Sequence, residues 1–297
     1  RAILKKPRIL ISSVEHPSIT NTANNYALNT SSELIEIPVN KNGEIILDFL
    51  SLKLSKFCDL LCLMLVNNET GVIQPISKKE DFNENIGWFH CDAVQAFGKV
   101  PIDFNNMPFD SISLSSHKIH GPKGIGALVV KDPSKLPGFI LGGMQENSMR
   151  AGTESIANIV GFASAAQKID SMLEMQKNHV SKLRDYVEKR LVELGAVILG
   201  ENANRVYNTC CFGFKNISGD SILAELDNYG ICLSSGSACS NLDSSENYVL
   251  KKMGIKEIDP KSVIRLSLSI NNSSEECEYF LNKCKGVVSN FRQLITI

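Results

Sequence analysis

Residues 115–130 read SSHKIHGPKGIGALVV. A polar, ionisable tetrapeptide ending in Lys118 enters a Gly-Pro-Lys-Gly turn, which runs straight into the apolar segment Gly126–Val130. An apolar, β-branched run bounded by turn residues reads as a strand. Working outward, Ser111–Leu114, Trp88–Cys91, Leu60–Val66 and Arg8–Ser12 are further short apolar runs, alternating with helix-compatible stretches. Alternation of this kind predicts an α/β domain with a largely parallel sheet. Beyond it a helical pattern runs from about Ile156 to Leu194, with Val180, Leu183, Val187, Leu191 and Leu194 on one face and Gly195 as its stop. Thr209–Phe214 and Val263–Ser269 then read as strands and Ser221–Tyr229 as a helix. The expected organisation is a large α/β domain over residues 1–172 and a smaller α+β domain over residues 173–297.

Composition narrows the function classes. Of 297 residues, 43% are hydrophobic and 21% charged, an ordinary globular balance that argues against disorder or a fibrous repeat. Lysine plus arginine number 31 against 32 acidic residues, a formal net charge of −1. Binding nucleic acid or a membrane by bulk charge is therefore not expected. The longest apolar stretch, Leu60–Val66, falls far short of the roughly 20 residues a membrane span needs. No charged-then-apolar leader opens the chain, so secretion is not expected. Nine cysteines are odd in number, scattered, and nowhere spaced as CxxC. They read as reduced thiols in a cytoplasmic setting rather than as a disulfide framework or a zinc site.

In open α/β sheets ligands gather beyond the carboxyl ends of the strands. Asn67, Asn68 and Glu69 follow the Leu60–Val66 run; Asp92 and Gln95 follow Trp88–Cys91; Ser115, Ser116, His117 and Lys118 follow Ser111–Leu114. Any one of these serves equally well as a cap or turn residue. Lys118 reads either as a turn lysine or as an amine held at a partly desolvated strand end, where a disfavoured charge suits imine formation with a carbonyl cofactor. His117 and His120 lie at i and i+3, but Gly121 and Pro122 follow at once and no third ligand is evident, so a metal site is not expected.

The 115–130 segment resembles the cofactor-lysine segment of cysteine desulfurases of the NifS/IscS type, which belong to the class-V aminotransferases. The resemblance continues in chain order through VEHPSI (14–19), NNETGVIQP (67–75), HCDAVQAFGKVPID (90–103), GGMQENSMRAGTES (142–155), SSGSACS (234–240) and VIRLSLS (263–269). It implies a pyridoxal-phosphate (PLP)-dependent transferase of fold type I that converts L-cysteine to L-alanine. On that resemblance Lys118 would hold PLP and later move the Cα proton, and Asp92 would pair with the pyridinium nitrogen. His16 would stack on the ring and assist proton transfer, while Gln95 and Asn68 would hold its oxygen side. Ser115 and His117 would donate to the phosphate, and Thr153 would reach the phosphate of a partner subunit, which implies a homodimer. Arg265, with Asn68, would bind the substrate carboxylate. Cys239, on a loop of small polar residues, would be the nucleophile that takes up sulfur as a persulfide. An iron–sulfur scaffold or a sulfur-relay protein would then accept it.

Cys58, Cys62, Cys91, Cys210, Cys211 and Cys232 sit among apolar residues, and Cys277 and Cys284 on a C-terminal helical pattern; all eight are expected to pack as small hydrophobes. The sequence departs from the family in several places. Relatives begin upstream of Arg1 with a Gly-Ala-Thr-type phosphate loop, so a fragment is the expectation. Position 120 is His, GGMQE replaces a triple glycine, SLSINN lacks a second arginine, and Ile297 ends the chain without the longer tail of some relatives. The competing readings are a selenocysteine lyase or another class-V enzyme, or a non-catalytic chain that keeps the fold. A transaminase has no need of a thiol on such a loop.

Overall fold

The structure is a computed structural model that describes residues 6–76, 78, 82, 85–236 and 247–295. Its larger sheet has six strands: β1 (Arg8–Ser12), β2 (Glu33–Ile37), β3 (Leu60–Cys62), β4 (Phe89–Asp92), β5 (Ser111–Ser115) and β6 (Gly126–Val130), in the order β2-β1-β3-β4-β5-β6. All neighbours are parallel except β5 and β6, which the 116–125 turn joins as an antiparallel pair. The interior strand β1 is buried along its whole length, in keeping with its near-continuous apolar run. Because β3, β4 and β5 run parallel, the segments that follow them emerge on one edge of the sheet.

The Leu60–Val66 run forms a shorter strand than its apolarity suggests. Leu63 N and Leu65 N still donate to His90 O (3.1 Å) and Asp92 O (3.0 Å). On the β1 side, however, Met64 N donates to the Glu15 carboxylate at 2.6 Å instead of to a strand carbonyl. A buried side chain thus replaces the ladder.

Helix α1 (Pro17–Thr30) between β1 and β2, and the short α2 (Leu47–Lys53) after β2, lie outside the sequence expectations. His16 caps α1 through Nδ1 and Pro17 opens its first turn, yet none of its residues is buried. A helix without a buried stripe carries no 3.6-residue signal.

Helix α3 (Ile156–Glu193) runs unbroken through residue 172 and buries Val180, Leu183, Val187 and Leu191. A second, four-stranded antiparallel sheet follows: β7 (Ala196–Ile198), β8 (Thr209–Phe214), β9 (Ser234–Ser235) and β10 (Ile264–Ser267), ordered β7-β8-β10-β9. Helix α4 (Gly219–Asp227) lies between β8 and β9, α5 (Tyr248–Met253) between β9 and β10, and α6 (Ser274–Ile295) after β10. Cys277, Phe280, Leu281, Cys284, Val287 and Val288 form the apolar stripe of α6 over this sheet.

Two principal cores result. One fills the larger sheet and draws in Leu199, Val206, Cys211, Val249, Leu250 and Met253 from later in the chain. The other joins the second half of α3 to the smaller sheet and α6. Among the described residues, no helix is long and apolar enough to cross a membrane.

Candidate active site

The NNETG turn is organised by Asn67. Its buried Oδ1 accepts from Glu69 N, Thr70 N and Thr70 Oγ1 at 3.0–3.1 Å, and its Nδ2 donates to Val14 O at 3.1 Å. Gly71, at φ +74°, closes the turn by donating to Asn67 O at 3.0 Å. Asn68 and Glu69 are thereby carried to the strand edge on a rigid loop. Asn68 O accepts from Arg265 Nη1 at 2.8 Å, which brings β10 of the smaller sheet against the larger one.

At the end of β4, Asp92 is buried and its Oδ1 accepts from Val94 N at 2.9 Å. Three residues on, Gln95 receives the amine of Lys99 on both its side-chain and main-chain oxygens. Burial, aided by the positive charges of Lys118 and Arg265, lowers Lys99 to about 8.

Beyond β5 the chain makes a single 3-10 turn, Ser116–Ile119, that carries Lys118. His120 ends it in the left-handed region at φ 66°, and Gly121 N donates to Ser116 O at 3.0 Å. A Cβ on Gly121 would lie 2.2 Å from Ser116 Oγ, so glycine is required there by close approach. Ser115 Oγ and His117 Nδ1 are hydrogen-bonded at 2.8 Å beside the turn. Lys118 itself is exposed, the position of the turn lysine among the two sequence readings rather than of the partly desolvated strand end. The amine rides on a turn projecting beyond the sheet, not on the strand end.

Asn68, Gln95, Lys118 and Arg265 converge on one cavity of about 630 Å³ between the 67–71 loop, α3 and the smaller sheet. Lys99 and Lys168 line it too, giving four Lys and Arg side chains and no carboxylate among the described lining residues. Its size is that of a small-molecule site, and its charge suits an anionic occupant. The remaining candidates do not line this cavity. Asp92 is buried at the end of β4, its charge acting on the buried Glu15. His16 adjoins Glu15 as the α1 cap, Ser115 and His117 flank the Lys118 turn, and Thr153 is exposed just before α3. Cys239 lies outside the described residues.

Sequence reasoning passed over two buried ionisable groups inside the quoted motifs. Glu15 is fully buried with Oε2 unpartnered, and desolvation raises its carboxyl well above the ordinary range. Lys99 sits four residues after Gln95, a spacing that lets its amine reach back to that side chain. Cys232 corrects the packing expectation. It is exposed, whereas the other seven described cysteines are buried. In the extended approach to edge strand β9, Ile231 and Leu233 turn to one side and Cys232 to the other.

The donor set fits PLP. A free amine, a buried carboxylate at a neighbouring strand end, two amide side chains and further cations match its carbonyl, ring nitrogen, ring oxygen and phosphate.

Comparison with known proteins agrees. The aminotransferase class-V family matches residues 1–280. A cysteine desulfurase of Sinorhizobium fredii is 35% identical over 295 residues, covering 98% of this chain and 76% of the relative. The cysteine desulfurase NifS of Azotobacter vinelandii is 32% identical, covering 98% and 73%. The solved structure of a NifS-like protein from Rickettsia africae superposes with a TM-score of 0.84 at 31% identity, over 95% of this chain and 76% of that one.

Proposed function

We propose, from the premise that this chain belongs to the class-V aminotransferase family and is a PLP-dependent cysteine desulfurase, how its own residues divide the work. L-Cysteine is the substrate. The observation that carries the reading is the cavity itself, which joins Lys118, Gln95, Asn68 and Arg265 and has no acidic residue among its described lining residues.

Arg265 takes the substrate carboxylate. Nη1 is fixed on Asn68 O, Nη2 lies 3.3 Å from Ser234 Oγ, and Nε has no partner among the described residues, so the fork is oriented and retains donors for an anion. Lys118 holds the cofactor through its amine and then moves the Cα proton. Asp92, fixed by Val94 N, holds the proton at the ring nitrogen. Gln95 and Asn68 orient the ring-oxygen side, His16 covers the ring and assists proton transfer, and Ser115, His117 and the partner's Thr153 hold the phosphate. When bound, PLP supplies the electron sink that makes the substrate Cα–H bond acidic. The thiolate of Cys239 attacks the sulfur of cysteine. An S–S bond forms, the substrate Cβ–S bond breaks, and Cβ gains a proton, leaving alanine and a Cys239 persulfide.

The persulfide sulfur passes to an acceptor protein of the iron–sulfur scaffold or sulfur-relay kind. The working unit is a homodimer, a reading supported by the exposed Thr153 and the exposed apolar side chains of Phe139, Leu141 and Met144 close by in the chain. A cytoplasmic setting accords with eight described cysteines that are all free.

The test is alanine release from L-cysteine with PLP and a thiol reductant. The parent chain should release alanine and Cys239→Ser should fall at least ~10²-fold, the scale on which losing a nucleophile registers. Equal release by the two would overturn the assignment of Cys239.

A further inference from the structure

Glu69 belongs to the NNETG turn, yet no step above uses it. It is 5% exposed, and its Oε2 accepts from Asn247 Nδ2 across 178 positions of sequence. Asn247 is fully engaged, because its Oδ1 accepts from Leu250 N at 2.8 Å and caps α5. Opposite it stands Gly236, directly after β9, whose N donates to Val263 O at 3.2 Å. A Cβ on Gly236 would lie 2.3 Å from Asn247 Nδ2, 2.7 Å from Val263 Cγ1 and 3.3 Å from Glu69 Oε2. Residues 236 and 247 flank the segment that contains Cys239. Both therefore meet over one buried carboxylate.

The same carboxylate is tied to the substrate-binding side. Its neighbour Asn68 accepts from Arg265, and Arg265 pairs with Ser234 in the β9–β10 ladder, two residues before Gly236. The ionisable groups facing Glu69 are Arg265 on β10, Tyr248 on α5 and Cys211 on β8. Burial raises Glu69 to about 7, with Asn247 and Arg265 opposing the rise.

We propose that Glu69 is a positioning residue for sulfur transfer: by holding Asn247 against Gly236 beside Arg265, it fixes both ends of the Cys239 segment relative to the substrate carboxylate. The proposal rests on the role given to Cys239 above. It accounts for an ionisable side chain kept dry at a cost, and for glycine at 236, where no side chain has room. Attack on a substrate sulfur is sensitive to placement, and a shift of about 1 Å can cost ~10²-fold in rate.

The PLP-loaded chain is compared with Glu69→Ala, Glu69→Gln, Asn247→Asp and Cys239→Ser. Alanine release gives kcat and KM. The cysteine-dependent change in cofactor absorbance reports binding at Lys118 and Arg265 independently of the thiol. Glu69→Ala removes the acceptor, and Asn247→Asp keeps the helix cap while removing the donor. Both should lower kcat about 10- to 100-fold with the absorbance half-saturation within about 3-fold of the parent. Glu69→Gln keeps an acceptor oxygen and should recover most of the rate. Unchanged kcat in Asn247→Asp, or Glu69→Gln as impaired as Glu69→Ala, overturns the proposal. So does a parallel loss of the absorbance change, which would mark a general structural role. Alanine release by Cys239→Ser at the parent rate removes the underlying reading instead, whatever the Glu69 variants do.

Discussion

Lys99 illustrates how a single side chain can be costly and useful at once. Its amine bonds Gln95 twice within a mostly buried setting that also holds Lys118 and Arg265. The folded chain binds this proton less tightly than the unfolded chain, whose lysines titrate near 10.4. Between about 8 and that value the unfolded state holds more protons, so stability rises with pH across the window and the penalty is complete below it. Lys99→Met removes the titration. The parent's urea midpoint should gain on the variant's from pH 7.5 to pH 10, while the buried cysteines, whose thiols burial pushes up, lower both alike as pH rises; parallel curves would dismiss Lys99 as the titrating group. Loss of the charge-assisted bond to Gln95 should also weaken PLP binding about 10-fold, as fluorescence titration would read. Neither Lys99 nor Glu15 was legible in the sequence as an ionisable group in a special setting. Burial is a property of what packs around a residue, and for Glu15 the partners are Met64 and Tyr248, 49 and 233 positions away.

At the scale of elements, legibility followed the apolar pattern, whether or not the element is buried. β1, β6 and β8 were readable to the residue because each is an apolar run bounded by turn residues. α3 was readable because its second half keeps one buried face over four turns. α1 buries nothing, so its pattern was silent, and β2 behind it went with it. The turn that presents Lys118 was legible as a turn, but its tolerance to change depends on a contact no pattern displays. Gly121 lies so close to Ser116 Oγ that Gly121→Ala must displace the 3-10 turn. The expected cost is about 1–3 kcal/mol by chemical denaturation, with alanine release reduced as Lys118 moves. Ser116 Oγ is buried without a partner, so Ser116→Ala should itself be nearly neutral. Adding it to Gly121→Ala should restore part of both losses. A double variant no better than Gly121→Ala would place the clash elsewhere, against Ser116 O or Ala165.

For the whole molecule, the ordered segments named four residues that meet at one cavity, because parallel strands deliver Asn68, Gln95 and Lys118 to one edge and β10 brings Arg265 to them. In the sequence the proposed homodimer rests on the implied reach of Thr153 alone, and the structure adds an exposed apolar loop beside it. Phe139, Leu141 and Met144 are 91%, 83% and 86% exposed. Their loop is pinned to itself, Phe139 N donating to Met149 O at 2.9 Å and Ala151 N to Ile140 O at 2.8 Å. An apolar loop held rigidly outward is a surface to be covered, and in the proposed homodimer Thr153 of one subunit would reach the cofactor of the other. In that arrangement each site draws Lys118 from one chain and Thr153 from its partner. Lys118→Ala chains alone should be inactive, and Thr153→Ala chains alone should bind PLP more weakly. Refolded together in equal amounts, they form mixed dimers in which one of the two sites is intact. Half of all dimers are mixed, so alanine release at limiting PLP should return to about a quarter of the parent value. Leu141→Asp in both chains should abolish that recovery and shift sedimentation toward the monomer. Recovery no greater than the average of the two variants measured separately would rule out the shared site.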